Sequence, residues 1–173
     1  MTDLEEVRSR FQPCQIGVLF VGESPPQNGT FPYLKNSNLF RYTREAFCEA
    51  LGACFTDGFL DNFRDNGCFL EDLCGEPVNK LSKRKKKRAC QDAVGKLVLK
   101  LQAAQPSAVI CVMRRISPIV QQALRVAGFA SLPFWSVPFP AQGHQREYVR
   151  ELVQILGCLN KAGLLWRVEA PPC

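Results

Sequence analysis

The sequence predicts an α/β protein: a three-layer α/β/α sandwich around a central, mainly parallel four-stranded sheet. Three observations carry that expectation. Short, continuous apolar runs rich in β-branched and aromatic residues recur along the chain, as expected for strands buried on both faces. Between them lie segments whose apolar residues repeat at helical spacing. Gly or Pro closes the runs, which sets the rhythm of strand and helix by turns. At 173 residues, one domain spanning 1–173 is the simplest organisation, large enough to bury about two-thirds of its unfolded surface.

Residues 4–11 form a short leading helix, and 16–21 the first strand. From Asn36 the period changes. Leu39, Thr43, Phe47 and Leu51 share a helical face, with Asn36 or Ser37 as N-cap and Gly52 as terminator. The run CFLEDL, 68–73, is a second strand ending at Gly75, and Glu76-Pro77-Val78-Asn79 is a loop. Ser82 caps a long helix over 83–104, whose inner face is Val94, Leu97, Val98 and Leu101. The third strand is AVICVM, 108–113, followed by a helix over 116–126 that stops at Gly128. A weaker fourth strand, 132–137, runs into Pro138-Phe139-Pro140, and a helix over 145–159 closes the chain.

Composition narrows the function. The amino terminus, MTDLEEVRSR, is polar and acidic where a secretory signal is basic and then apolar, and no apolar run approaches the roughly 18 residues that span a bilayer. A cytoplasmic protein without a membrane partner is expected. Nine cysteines are scattered with no Cys-x-x-Cys pair, which argues against a zinc site or a disulfide framework and for free thiols packed as small hydrophobes. Charge is concentrated instead. Of 22 basic residues, six form the run KRKKKR, Lys83, Arg84, Lys85, Lys86, Lys87 and Arg88; the others balance the 16 acids, so this hexapeptide holds the whole net charge of +6. Such a footprint suits nucleic acid or another anionic surface. With Ser82 as cap, six cations crowd the positive end of a helix dipole, a costly placement for a purely structural helix. Arg114 and Arg115 either extend this track or pair with surface acids.

Three segments converge at the carboxyl edge of the expected sheet: 22–33, 72–80 and 138–146. In VLFVGESPPQNGTFPY, Glu23 stands just past the first strand, where open α/β sheets bind ligands, although a turn-capping role fits the same position. No P-loop lysine or dinucleotide glycine pattern follows the strand. Ser24, His144 and Asp72 could be drawn as a triad, but Ser24 lacks a nucleophile elbow.

These segments resemble the uracil-DNA glycosylase superfamily. Gly22-Glu23-Ser24-Pro25-Pro26 is similar to its first motif, nearest the Gly-Glu-Ala-Pro form of the thermostable iron–sulfur branch. Phe31-Pro32-Tyr33 and Asn38-Leu39-Phe40-Arg41 resemble the mismatch-specific branch, in which a Phe-Pro-Phe segment stacks on the extruded base. FLEDLCGEPVNK is similar to a segment carrying a base-reading Asn, with Asp72 in its place, and Val137-Pro138-Phe139-Pro140-Ala141 lines up with the second signature, with Phe139 for its His or Asn. The resemblance implies a monofunctional, monomeric glycosylase that flips a damaged or mismatched base from DNA and hydrolyses its N-glycosidic bond. By the same resemblance Glu23 and Ser24 flank the attacking water, Tyr33, Asp72 and Phe139 hold the base, and Gln142, His144 and Arg146 lie in the loop that wedges into the duplex. The cluster cysteines of the iron–sulfur branch are missing, since only Cys14 stands near the amino terminus, so no metal or other cofactor is expected. Ser24 replaces a water-activating Asp or Asn, and Asp72, if ionised, only accepts hydrogen bonds where Asn also donates. Those departures leave open a non-catalytic nucleic-acid-binding member of the same fold. A nucleotide- or nucleoside-processing enzyme explains the site but not KRKKKR.

Overall fold

A computed structural model describes residues 4–52 and 58–165. The chain runs α1 (Leu4–Ser9), β1 (Val18–Gly22), α2 (Asn38–Leu51), α3 (Phe59–Asp65), β2 (Cys68–Asp72), α4 (Lys83–Asp92), α5 (Val94–Ala104), β3 (Ala108–Cys111), α6 (Ser117–Ala127), β4 (Phe134–Ser136) and α7 (Gln145–Lys161). The four strands form one parallel sheet in the order β2-β1-β3-β4. This is the α/β/α sandwich expected from the sequence. Every residue of β1, β2 and β3 is buried, as strands covered on both faces must be.

Successive residues of β1 serve opposite layers. Phe20 packs among Phe47 of α2 and Phe63 of α3, with centroids 6.4 and 5.1 Å away. Leu19 lines a cavity with Ala103 and Ala104 of α5. The two outer layers are thus α2 with α7, joined by a 2.7 Å hydrogen bond between Thr43 and Tyr148, and α5 with α6. Ser37 caps α2 by accepting from the Phe40 amide.

The structure departs from expectation in four places. The predicted helix over 83–104 bends at Ala93 into α4 and α5. Amide bonds from Ala93 to Ala89 and from Leu97 to Ala93 carry the ladder across the bend. α5 follows the core through Val94, Leu97 and Leu101, whereas α4 buries only Cys90. Helix α3 escaped the periodicity reading because its seven residues give only one apolar repeat, Phe59, Leu60 and Phe63. Strand and helix ends move by one or two residues, the leading helix stopping at Ser9 and β1 starting at Val18. Finally, Cys14 is disulfide-bonded, while Cys48, Cys68, Cys74, Cys90, Cys111 and Cys158 are free. No helix among the described residues is long and apolar enough to cross a membrane.

Topology fixes where a ligand fits. From β1 the chain moves to the edge strand β2, then crosses back over β1 to β3 and on to β4. The winding reverses between β1 and β3, which opens a crevice beyond their carboxyl ends.

Candidate functional site

That crevice holds a cavity of about 580 Å3. Its walls come from Gly22–Ser24 after β1, Asp72 at the end of β2, Lys86 of α4, Arg114 and Arg115 after β3, and the loop carrying Phe139, Gln142 and His144. The three segments that the sequence placed together do meet here. The only buried polar side chains in the lining are two carboxylates, Glu23 and Asp72.

Glu23 is 7% exposed. Arg115 grips it bidentately: Nε donates to Oε1 at 2.9 Å and Nη2 to Oε2 at 2.5 Å. Lys86 Nζ lies 3.6 Å from Oε2. Burying a carboxylate costs several kcal/mol unless it is paired and hydrogen-bonded, and these two cations meet that demand. Glu23 is thus no turn cap. Of its roughly four lone-pair positions the two cations engage up to three, leaving limited capacity for a water.

Asp72 faces the opposite side of Gly22. The parallel register pairs Gly22 with Asp72, and a Cβ at position 22 would stand 2.7 Å from Asp72 Oδ1. Glycine suits this position through the close approach of Asp72 rather than through its backbone angles. Asp72 Oδ2 accepts from Nη2 of Arg8, a fully buried arginine of α1 that also donates to Glu71 and lies 5.3 Å from the Phe31 ring centroid. Lys100 completes the cluster, 3.0 Å from Glu71. Burial pushes the Asp72 carboxyl up to about 6, against the pull of Arg8 and with a push from Glu71. For Arg8, burial opposes the charge, but Asp72, Glu71 and Glu5 outweigh it and raise the guanidinium further.

The remaining residues divide sharply. Ser24 Oγ accepts from the Val78 amide at 3.3 Å and donates to Asn79 at 3.5 Å, so it pins the β2–α4 loop. His144 pairs with Glu147 at 2.9 Å, and no Ser24–His144–Asp72 triad forms. Phe139 is half-buried on the cavity wall. Gln142 and Gly143 have φ of 54° and 91°; two successive left-handed residues make a tight loop, strained at Gln142. Arg146 is exposed on the first turn of α7.

Tyr33 corrects the base-stacking assignment. It is 3% exposed and absent from the cavity lining. Its ring lies between Phe11, stacked at 5.6 Å, and Phe69 at 6.0 Å. Its hydroxyl accepts from the Leu70 amide at 2.7 Å and donates to the Leu70 carbonyl at 3.1 Å. From this segment Thr30, Phe31 and Pro32 line the cavity, with the Phe31 side chain itself 1% exposed.

On α4, Ser82 caps the helix by accepting from the Lys85 amide, so KRKKKR fills its first two turns. Lys83, Arg84, Lys85 and Lys87 are exposed, Arg88 lies 3.7 Å from Asp92, and Lys86 turns inward to Glu23. Arg114 pairs with Glu147 and Glu151 on α7. Arg115 and Arg8 are the functional-site residues that sequence reading left unassigned. An Arg-Arg pair after a strand gave a partial signal for Arg115, whereas nothing distinguished Arg8 from other bases in the leading helix. Among the described residues no group of three or more His, Cys, Asp and Glu side chains is arranged to hold a metal ion.

No protein-family model matches the chain, and no curated protein matches it.

Proposed function

We propose that the chain is a DNA glycosylase-like protein that removes a damaged or mismatched base, uracil or another deaminated base, by hydrolysing the N-glycosidic bond. One observation carries the reading: a 580 Å3 cavity at the switch point, with two buried carboxylates in its wall and Lys86 of the basic helix reaching into it. A cavity of this size takes a flipped nucleoside. The basic helix supplies phosphate contacts. Phe31 and Phe139 offer apolar walls, Asp72 meets the edge of the base, and Glu23 orients water at the sugar. In the reaction, water oxygen bonds to the anomeric carbon, the carbon–nitrogen pair leaves with the base, and a water proton passes to a carboxylate. The reading takes the protein as cytoplasmic and monomeric, needing no cofactor.

A second reading, a non-catalytic nucleic-acid-binding protein, is favoured by the double engagement of Glu23 by Arg115 and Lys86. Duplexes carrying uracil, hypoxanthine, xanthine or a mismatch, treated with alkali after incubation, separate the two. Strand breaks support base removal, and Glu23→Gln should then abolish them. No breaks anywhere in the panel, with salt-sensitive binding retained, refutes the enzymatic reading.

A further inference from the structure

We infer that Arg115 and Lys86 form a subsite for a phosphodiester at the mouth of the cavity, with Glu23 as the buried anchor that aims Arg115. The inference rests on the nucleic-acid reading above and assigns the partner group for this site. A guanidinium carries five N–H donors, and Glu23 consumes two of those on Arg115, through Nε and Nη2. The other three have no protein partner among the described residues, and the side chain is 56% exposed while lining the cavity. Arg115 is thus held rigid on one edge and open on the other. Planar guanidinium groups fixed in this way recognise phosphate oxygens with little ordering cost.

Lys86 adds a second cation on the same carboxylate from another element, the first two turns of α4. Charge selects the ligand. Two cations around the one carboxylate of Glu23 give this trio a single positive charge, while Asp72 is paired with Arg8 and Arg114 with Glu147 and Glu151. A phosphodiester carries one negative charge and neutralises this site; a terminal phosphomonoester would bring a second. The exposed bases Lys83, Arg84, Lys85 and Lys87 continue the positive track away from the cavity, as a strand of backbone phosphates requires.

The test follows the side-chain Nε–H resonance of Arg115 while thymidylyl-thymidine, thymidine or inorganic phosphate is added. Saturable movement is expected with the dinucleotide, which has one phosphodiester, and none with thymidine. Arg115→Ala should weaken dinucleotide binding at least tenfold, with Arg115→Lys intermediate. Lys86→Ala should weaken it severalfold. For a single-stranded oligonucleotide, Arg115→Ala should lower the slope of log K against log salt by about 0.7, one phosphate contact. Dinucleotide affinity within twofold of the parent in Arg115→Ala overturns the inference, as does an equal response to thymidine. Saturation by inorganic phosphate without a response to the dinucleotide overturns the backbone assignment. None of these readouts needs base release, so a protein that cleaves no glycosidic bond can still pass. Conversely, base release together with unchanged dinucleotide affinity in Arg115→Ala refutes this inference alone.

Discussion

Replacing Tyr33 by Phe removes one oxygen from a place where it serves two backbone groups. β2 is an edge strand, so one flank of its peptide groups lacks a strand partner. The Tyr33 hydroxyl closes that flank at Leu70, accepting from the amide at 2.7 Å and donating to the carbonyl at 3.1 Å. Burial raises the phenol pKa, so it stays protonated and able to donate throughout the ordinary pH range. A buried amide or carbonyl left without a partner costs about 1–3 kcal/mol. With some relaxation, the two losses at Leu70 should destabilise the protein by about 2–4 kcal/mol. For a chain of this size each kcal/mol moves the midpoint by about 2–4 °C, so Tm should fall by about 5–15 °C. Urea unfolding with an unchanged m-value would measure it directly. The substitution keeps the ring and its stack on Phe11, which separates the two roles of Tyr33. A loss below about 0.5 kcal/mol would refute the edge-capping argument, since a residue serving only as a stacking face loses nothing with its hydroxyl.

Gly22→Ala should destabilise by about 1–3 kcal/mol, because its Cβ would meet Asp72 Oδ1 at 2.7 Å; a neutral result in chemical denaturation would mean that Asp72 shifts freely. Asp72 binds its proton more tightly in the folded chain, near pH 6 against an ordinary 3.8. The native state therefore holds more protons between these values, and this contribution to stability is present below about pH 4 and lost as pH rises through 6. Asp72→Asn should flatten the pH dependence of unfolding free energy across that window, and an unchanged profile would contradict the burial effect. Changing Lys83, Arg84, Lys85 and Lys87 together to Gln should leave the unfolding midpoint within about 2 °C, because surface substitutions are usually small. The same change should flatten the salt dependence of DNA binding; an unchanged slope in a binding titration would place the nucleic acid elsewhere.

The alternation of strands and helices was legible because parallel strands between two helical layers need continuous apolar runs, and helices on one face need a 3.6-residue repeat. VLFV, CFL and AVIC announced themselves in that way. Helix α3 did not, since seven residues cannot display a period. The bend at Ala93 was hidden because amide bonding continues through it; what changes is the partner surface, core for α5 and solvent for α4. Within the site, Glu23 was legible from its strand-end position, and Tyr33 was misplaced for a related reason. An aromatic residue in a Phe-Pro-Tyr segment fits a cavity wall or a core equally well in sequence, and only the edge position of β2 decides that its hydroxyl turns inward. The roles of Arg8 and Arg115 depend on pairs 64 and 92 residues apart, which no local pattern records.

Those distant pairs also explain how two acids can be buried at the carboxyl ends of adjacent strands. Glu23 follows Gly22 on β1 and Asp72 pairs with Gly22 from β2, and a carboxylate buried at either place needs a charged or hydrogen-bonding partner. Each has a separate arginine, drawn from a different part of the chain: Arg8 from α1 for Asp72, Arg115 from the turn after β3 for Glu23. Both acids are thus tied into the fold while staying on the cavity wall. They differ in what lies on the far side of the arginine. The Arg8 side chain is 4% exposed, and its Nε has no hydrogen-bond partner among the described residues. Arg115 opens to solvent, beside Lys86 and the basic helix. Asp72 is therefore free to act only through its own remaining oxygen, whereas Glu23 communicates with whatever anion Arg115 holds. Substitution of Arg8 should act first on folding, and substitution of Arg115 first on ligand binding.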